Sequence, residues 1–226
     1  MILVFDLDDT LYPEIDYVKS GIYTVAKYLS EKYNLDAKEI NIEMFTDLKL
    51  NGRGLIFNNI LHNYNIYSKK ELNNCVSVYR KHKPKIVLYE AAEKFLDSHQ
   101  YFNKYIITDG NINVQRNKIK ALGLKKYFKK TIPTYQYGIN HSKPSTLCFE
   151  KIMKWENCEA SDLIYIGDNP NKDFVNIKKI GIRTIRVLTG GFKEILLENH
   201  FEAEITIKSL DQLNINLINE LKNENK

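Results

Sequence analysis

Nowhere does this chain run apolar for the roughly 20 residues that a membrane-spanning helix requires, and no basic segment followed by a long apolar stretch precedes its first strand-like run. Neither a membrane span nor a secretory leader is expected. Cysteine is scarce: Cys75, Cys148 and Cys158 are odd in number and show no CxxC spacing. That argues against a disulfide framework and for reduced thiols in a cytoplasmic setting. Charge of one sign is not in excess, because 33 Lys and Arg against 28 Asp and Glu leave a net +5. Tracts such as Lys125-Lys126 and Lys129-Lys130 read as solvated helix ends, so no nucleic-acid partner is expected. A mildly basic surface does suit anionic metabolites. His62, His82, His99, His141 and His200 show no metal-ligand spacing, and no repeat or low-complexity tract is present. What remains is 226 residues, 43% of them hydrophobic, enough for a large core with room for an insertion.

The apolar pattern divides the chain. Met1 to Phe5 is a short apolar run of the kind a buried parallel strand shows. After Pro13, apolar residues recur with helical spacing at Ile15, Val18, Ile22, Val25, Ala26 and Leu29. Further stripes follow at Ile40, Met44, Phe45 and Leu48, at Leu55 to Tyr64, and at Leu72, Cys75, Val76 and Tyr79. These stripes predict a four-helix unit over 13–83, closed by Pro84. From Glu90 the pattern alternates: a helix through Phe95, the strand Tyr105–Thr108, a helix ending near Gly123, a short strand at Thr131-Ile132, and a helix from Ser145 to Trp155. The strand Leu163–Ile166, a helix to about Ile180, the strand Arg183–Leu188, a weaker strand at Ala203–Ile207 and helical spacing from Leu210 to Leu221 complete it. Alternation of this kind implies right-handed crossovers. The expected fold is α/β, a Rossmann-like parallel sheet with helices on both faces (1–12 and 84–226), plus the small helical bundle. Trp155 is expected in the core.

Strand ends carry the polar groups. Asp6 and Asp8 follow the first strand, Thr108 and Asp109 the second, and Asp168 and Asp173 a later one, while Lys143 precedes a helix. In an open parallel sheet, ligands bind outside the carboxyl ends of the strands. Two carboxylates crowded there call for a cation or a shared proton. Each residue alone has an ordinary reading: an acidic turn, a helix cap, a surface lysine, a strand threonine. Their order and placement are what make the set specific.

The set resembles the haloacid dehalogenase (HAD) superfamily. Its first motif matches Asp6-Leu7-Asp8-Asp9-Thr10, its second Ile106-Ile107-Thr108-Asp109-Gly110, its third Lys143, and its fourth Gly167-Asp168-Asn169-Pro170-Asn171-Lys172-Asp173. The stretch from Gln115 through Lys118 to Leu124 and Phe128 also resembles the superfamily's usual filler. The insertion lies where that superfamily places a helical cap. The resemblance implies a phosphatase-type hydrolase using Mg²⁺. Asp6 is the expected nucleophile, forming an aspartyl-phosphate, and Asp8 the expected acid and base. Asp6, Asp168 and Asp8 through its backbone carbonyl are the expected metal ligands. Thr108 and Lys143 are expected to hold the phosphoryl oxygens, assisted by the backbone amides of Leu7, Asp8 and Asp109. Asp173 is expected to orient Lys143 or the metal's waters, with direct ligation left open; Thr10 and Asn169 support the site.

Asp8 separates two activities of the resemblance. Dehalogenases of the superfamily lack it, since expelling halide needs no acid, whereas an alkoxide leaving group does. The expected activity is hydrolysis of a small phosphorylated metabolite, a nucleotide or a sugar phosphate. A phosphomutase with the same residues, or a catalytically idle binding protein, are the alternatives. The cap is expected to close over the site. Tyr12, Tyr17 and Arg53, between Gly52 and Gly54, are candidates for its entrance, although an interhelix turn and a packed hinge explain them equally simply. The sequence does not choose between monomer and homodimer.

Overall fold

The computed structural model describes residues 1–223, so the last three residues of the expected α/β range lie outside the described residues. The chain divides into two compact units, Met1–Glu14 with Val87 onward, and Ile15–Ile86. Against the 13–83 that the apolar pattern bounds, the helical unit starts two residues later and ends three residues later. Glu14 stays with the first unit because its amide donates to Asp9 Oδ1 at 2.8 Å. Residues 84–86 stay with the helices, where the Lys85 amide donates to Ser20 Oγ at 2.9 Å.

The first unit is built on β1 (Ile2–Phe5), β2 (Asn103–Thr108), β3 (Lys130–Pro133), β4 (Leu163–Gly167), β5 (Arg183–Val187) and β6 (Ile205–Ile207). They form one six-stranded sheet in the order β3-β2-β1-β4-β5-β6, parallel throughout. This is an α/β, Rossmann-like parallel sheet. Val4 is level with both Tyr105 and Tyr165, so the central strand and its two neighbours end side by side. Both faces are covered: Ile2 and Val4 join Tyr105, Phe149 and Phe174 on one side. Phe5 meets Phe95 and Phe128 on the other, with ring centroids at 6.0 and 5.9 Å. Strands buried on both faces explain why β1, β2 and β4 read as unbroken apolar runs.

The second unit holds α1 (Glu14–Tyr33, whose first residue belongs to the other unit), α2 (Ala37–Asn51), α3 (Ile56–Asn63) and α4 (Lys69–Lys81). Its core gathers Val18, Ile22, Val25, Ile40, Met44, Ile60, Leu61 and Cys75. Asp36 caps α2, accepting from the Lys38 and Glu39 amides at 2.6 and 3.1 Å. Ser68 caps α4, accepting from the Glu71 amide at 3.1 Å. Among the described residues no helix is long and apolar enough to cross a membrane.

The remaining helices of the α/β unit are α5 (Glu90–Ser98), α6 (Ile112–Ala121), α7 (Leu147–Glu156), α8 (Val175–Lys179) and α9 (Ile215–Asn223). Several differ from expectation. The helix after β4 is a single short turn, because Gly167 to Phe174 wind instead into a polar loop. α7 starts at Leu147 rather than Ser145, since the Ser145 amide closes a turn on Ser142. The carboxyl-terminal helix starts at Ile215, after a separate turn at Leu210–Gln212. Ile15, counted on the buried face of α1, is 40% exposed. Trp155 is not core: it is 42% exposed, with the Lys130 ammonium 3.6 Å from its ring centroid. At the last turn of α7, an indole can stay partly in water and shield a lysine.

Candidate active site

Beyond Phe5 the chain leaves β1 still tied to β4, since the Asp6 amide donates to the Ile166 carbonyl at 2.8 Å. This fixes Asp6 beside the loop that carries Asp168 and Asp173. One carboxylate oxygen from each of these three buried acids lies within 4.8 Å of the others. Lys143 enters from the loop ahead of α7. Its ammonium stands 2.8 Å from Asp6 Oδ1 and 2.7 Å from Asp173 Oδ1, and donates to the Tyr165 hydroxyl at 2.8 Å. Tyr165 in turn donates to Asp173 Oδ1 at 3.3 Å. The Asn169 amide donates to Asp173 Oδ2 at 3.0 Å, closing the loop after β4. Position 167 is glycine for a steric reason, because a Cβ there would collide with the Asp173 carboxylate.

The electrostatics of this cluster are unbalanced. Three carboxylates share one ammonium in direct contact, which pairs with Asp6 and Asp173, while the charge of Lys172 acts on Asp6 from farther off. Burial, then the neighbouring charges of Asp173 and Asp6, push the Asp168 carboxyl up to about 9. Burial raises Asp6 to about 6, with Lys143 restraining the rise. Burial works against the Lys143 proton, yet Asp173 and Asp6 outweigh it and hold the ammonium charged. Thr108 Oγ1 is buried with no hydrogen-bond partner. Like charges this close are stable together only with protons or a cation among them, and hard oxygen donors suit a divalent ion such as Mg²⁺. The donor set therefore fits such an ion, with Asp6 and Asp168 as carboxylates that would hold it and Asp173, paired with Lys143, beside them.

Asp8, two residues beyond Asp6, points its carboxylate elsewhere. Lys118 Nζ donates to both its oxygens, at 2.8 and 2.9 Å, Gln115 Nε2 donates at 3.1 Å, and the Tyr12 hydroxyl donates to Oδ1. Burial works against its charge, but Lys118 more than compensates and keeps the carboxyl below its ordinary range. The Asp8 side chain is thus outside the acidic trio, and Asp173 is inside it. Asp109 places its carboxylate among Thr134 Oγ1 at 2.7 Å, the Lys143 amide at 3.1 Å and Lys172 Nζ at 3.1 Å. Asn169 turns its Oδ1 onto the amide and side chain of Asn171, at 3.1 and 3.0 Å. Thr10 is fully buried, its hydroxyl unpartnered.

The chain thus brings Asp6, Lys143, Asp168 and Asp173 together, with Thr108 at the end of β2, the strand that pairs with β1. Four residues take roles the sequence reading did not give them: Gln115, Lys118, Tyr165 and Lys172. Gln115 and Lys118 stand three apart on α6, so they share a face, and both are buried. A polar pair directly after a strand-end threonine was the available signal. Tyr12 does not line an entrance; it is fully buried. Tyr17 is buried too, its ring 5.5 Å from Tyr79 and 4.8 Å from His82. Arg53 lies in the exposed connection between α2 and α3, next to Gly52 at φ 73°.

With this geometry in hand, comparison with known proteins is informative. Residues 3–187 match the family model described as haloacid dehalogenase-like hydrolase. A protein of Methanocaldococcus jannaschii named glyceraldehyde 3-phosphate phosphatase is 26% identical, with 98% of each chain covered. Among solved structures, 2-haloacid dehalogenase of Pseudomonas syringae superposes with a TM-score of 0.67 at 20% identity, covering 97% of this chain and 100% of that one. The HAD-hydrolase YfnB of Bacillus subtilis bound to magnesium gives 0.64 at 18% identity, covering 94% and 96%. At such identities the two structures speak for the fold.

Proposed function

This chain belongs to the haloacid dehalogenase-like hydrolases and is a phosphatase, and from that premise we propose that it hydrolyses a small sugar phosphate through an aspartyl-phosphate at Asp6, with Mg²⁺. The observation that carries this reading is the Asp6 carboxylate, buried at the end of the central strand and held 2.8 Å from the Lys143 ammonium. An Asp6 oxygen attacks phosphorus, the ester P–O bond breaks, and the leaving oxygen takes a proton from Asp8. In the second half, water attacks the phosphorus of the aspartyl-phosphate and Asp8 takes a proton from it. Inorganic phosphate leaves and Asp6 is restored. Lys118 stabilises the carboxylate form of Asp8 that this second half needs. Donation in the first half requires Asp8 to exchange Lys118 for the leaving oxygen.

The unpartnered hydroxyl of Thr108 and the Lys143 ammonium are the donors for the phosphoryl oxygens, with the backbone amides of Leu7, Asp8 and Asp109 beside them. Bound at Asp6, Asp168 and the Asp8 carbonyl, Mg²⁺ would neutralise charge shared by nucleophile and phosphoryl group. Asp173 holds Lys143 in place. Thr10 and Asn169 support the two loops. We read the inserted helices, 13–83, as the family's cap.

The sugar phosphate is preferred over a nucleotide because the full-length relative is named for glyceraldehyde 3-phosphate. The test is hydrolysis of p-nitrophenyl phosphate and of a panel containing glyceraldehyde 3-phosphate, other sugar phosphates and nucleoside monophosphates. Activity is expected to need Mg²⁺, stop with EDTA, vanish in Asp6→Asn, and give the highest kcat/KM on a sugar phosphate. Activity that survives Asp6→Asn removes the nucleophile; a preference for nucleotides removes the substrate class.

A further inference from the structure

Lys143 poses a positioning problem. It lies in the 13-residue stretch between β3 and α7, where the described structure has only two short 3₁₀ turns, Thr134–Tyr137 and Ile139–His141. An ammonium on a stretch of that kind needs its backbone held from outside. Two such ties are present: the Lys143 amide donates to Asp109 Oδ1 at 3.1 Å, and Asn176 Nδ2 donates to the Pro144 carbonyl at 3.1 Å. The second is exposed, and the first is partly buried. Asp109 Oδ1 also accepts from Thr134 Oγ1, at the start of the same stretch, at 2.7 Å. Its other oxygen takes Lys172 Nζ, from the loop that carries Asp168 and Asp173, at 3.1 Å. One carboxylate therefore joins the end of β2, both ends of the lysine-bearing segment and the loop after β4.

We propose that the Asp109 side chain is the positioning residue for Lys143: by tying the Lys143 amide and Thr134 to the end of β2, it sets where the ammonium meets Asp6. This rests on the phosphatase reading above and adds to it, since the role expected for Asp109 there involves only its backbone amide. That amide is retained in Asp109→Ala and Asp109→Asn, so a side-chain effect is separable from it. Asparagine keeps an acceptor oxygen for the Lys143 amide; alanine keeps none.

The experiment is a double-mutant cycle on Asp109→Ala and Lys143→Ala, with Asp109→Asn alongside, read as kcat/KM for p-nitrophenyl phosphate with Mg²⁺. A misplacement on the order of 1 Å costs about a hundred-fold, so Asp109→Ala is expected to fall by about that factor. Asp109→Asn is expected to recover at least about ten-fold of it. The double variant is expected to be no worse than Lys143→Ala alone, because a lysine that is absent cannot be misplaced. Asp109→Ala within two-fold of the unsubstituted protein overturns the proposal, as do full additivity in the cycle or an asparagine variant no better than alanine. A second measurement needs no variant. In amide hydrogen exchange of the unsubstituted protein the Lys143 amide is expected to be protected, and its exchange at the rate of open loop amides also overturns the tie. If the unsubstituted protein fails to hydrolyse phosphate esters, the phosphatase reading fails first; activity with an indifferent Asp109 sinks only this inference.

Discussion

Each unit holds a buried acid that meets a lysine and a tyrosine hydroxyl, so two polar clusters are built from the same kinds of residue. In the helical unit, Glu71 is buried and accepts from Lys32, from Tyr28 at 2.6 Å and from Asn74 at 3.2 Å. One acid there meets one ammonium and a ring of neutral donors, and its carboxyl lies below the ordinary range: burial works against the charge, and the Lys32 and Tyr28 hydrogen bonds outweigh it. In the α/β unit, three acids meet one ammonium, and Asp168 is pushed far the other way. The first cluster is complete and serves to hold helices together. The second is incomplete and is suited to receive a cation and a phosphoryl group. Charge balance, more than residue type, separates a structural cluster from a chemical one.

Substitutions in the two clusters should dissociate activity from stability. The largest expected effect is at Asp168: Asp168→Asn should lower kcat by at least about a hundred-fold, in line with losing a group that holds a metal. The same variant should melt no lower than the unsubstituted protein in EDTA, because a repelled carboxylate has been removed. A lower Tm would mean that Asp168 is structural after all. Next is Lys118→Met, expected to cost about ten- to a hundred-fold in kcat by freeing the Asp8 carboxylate; unchanged kcat would show that the clamp is dispensable. Glu71→Ala should do the opposite of Asp168→Asn, destabilising by about 2 kcal/mol and lowering Tm by roughly 5 °C. Its kcat should not change, and a loss of activity without a loss of Tm would break the comparison.

A dependence on pH is expected as well. The Asp168 carboxyl ordinarily titrates near 3.8 and here near 9. Between those values the folded protein binds the extra proton, so in EDTA its stability should fall as pH rises through this window. The slope should be absent in Asp168→Asn, as thermal melts from pH 5 to 8.5 would register. Smallest is Trp155→Ala, worth about 0.5 kcal/mol for an exposed cation–π pair; a larger loss would return the indole to the core.

Most of the sheet was legible in the sequence because strands buried on both faces leave unbroken apolar runs, and Ile2–Phe5, Tyr105–Ile107 and Leu163–Ile166 are such runs. The acids and the threonine at their ends were legible because strand ends in a parallel sheet face the ligand crevice. Lys118 and Gln115 were not, since polar residues on an amphipathic helix normally face water, and only the third dimension shows them turned inward onto Asp8. Tyr165 reads as a strand aromatic, and nothing local says that its hydroxyl bridges Lys143 and Asp173. Lys172, one lysine among many, gains meaning only from standing 3.1 Å from Asp109. The helix after β4 is short because Asp168 to Asp173 form a polar loop before it, leaving only Val175–Lys179 for α8.

The register of β1 carries a consequence for how the protein is made. Ile2 pairs with Asn103 on one side and Leu163 on the other, so the middle strand of the sheet gains its first neighbour about a hundred residues later. At a synthesis rate of about ten residues per second, that delay is on the order of ten seconds. The helices of 15–86 use contacts that span fewer residues than the Ile2–Asn103 pair and can close in the meantime. The earliest strand to be synthesised therefore waits longest for its first neighbour, and the helical insertion can close before the sheet exists.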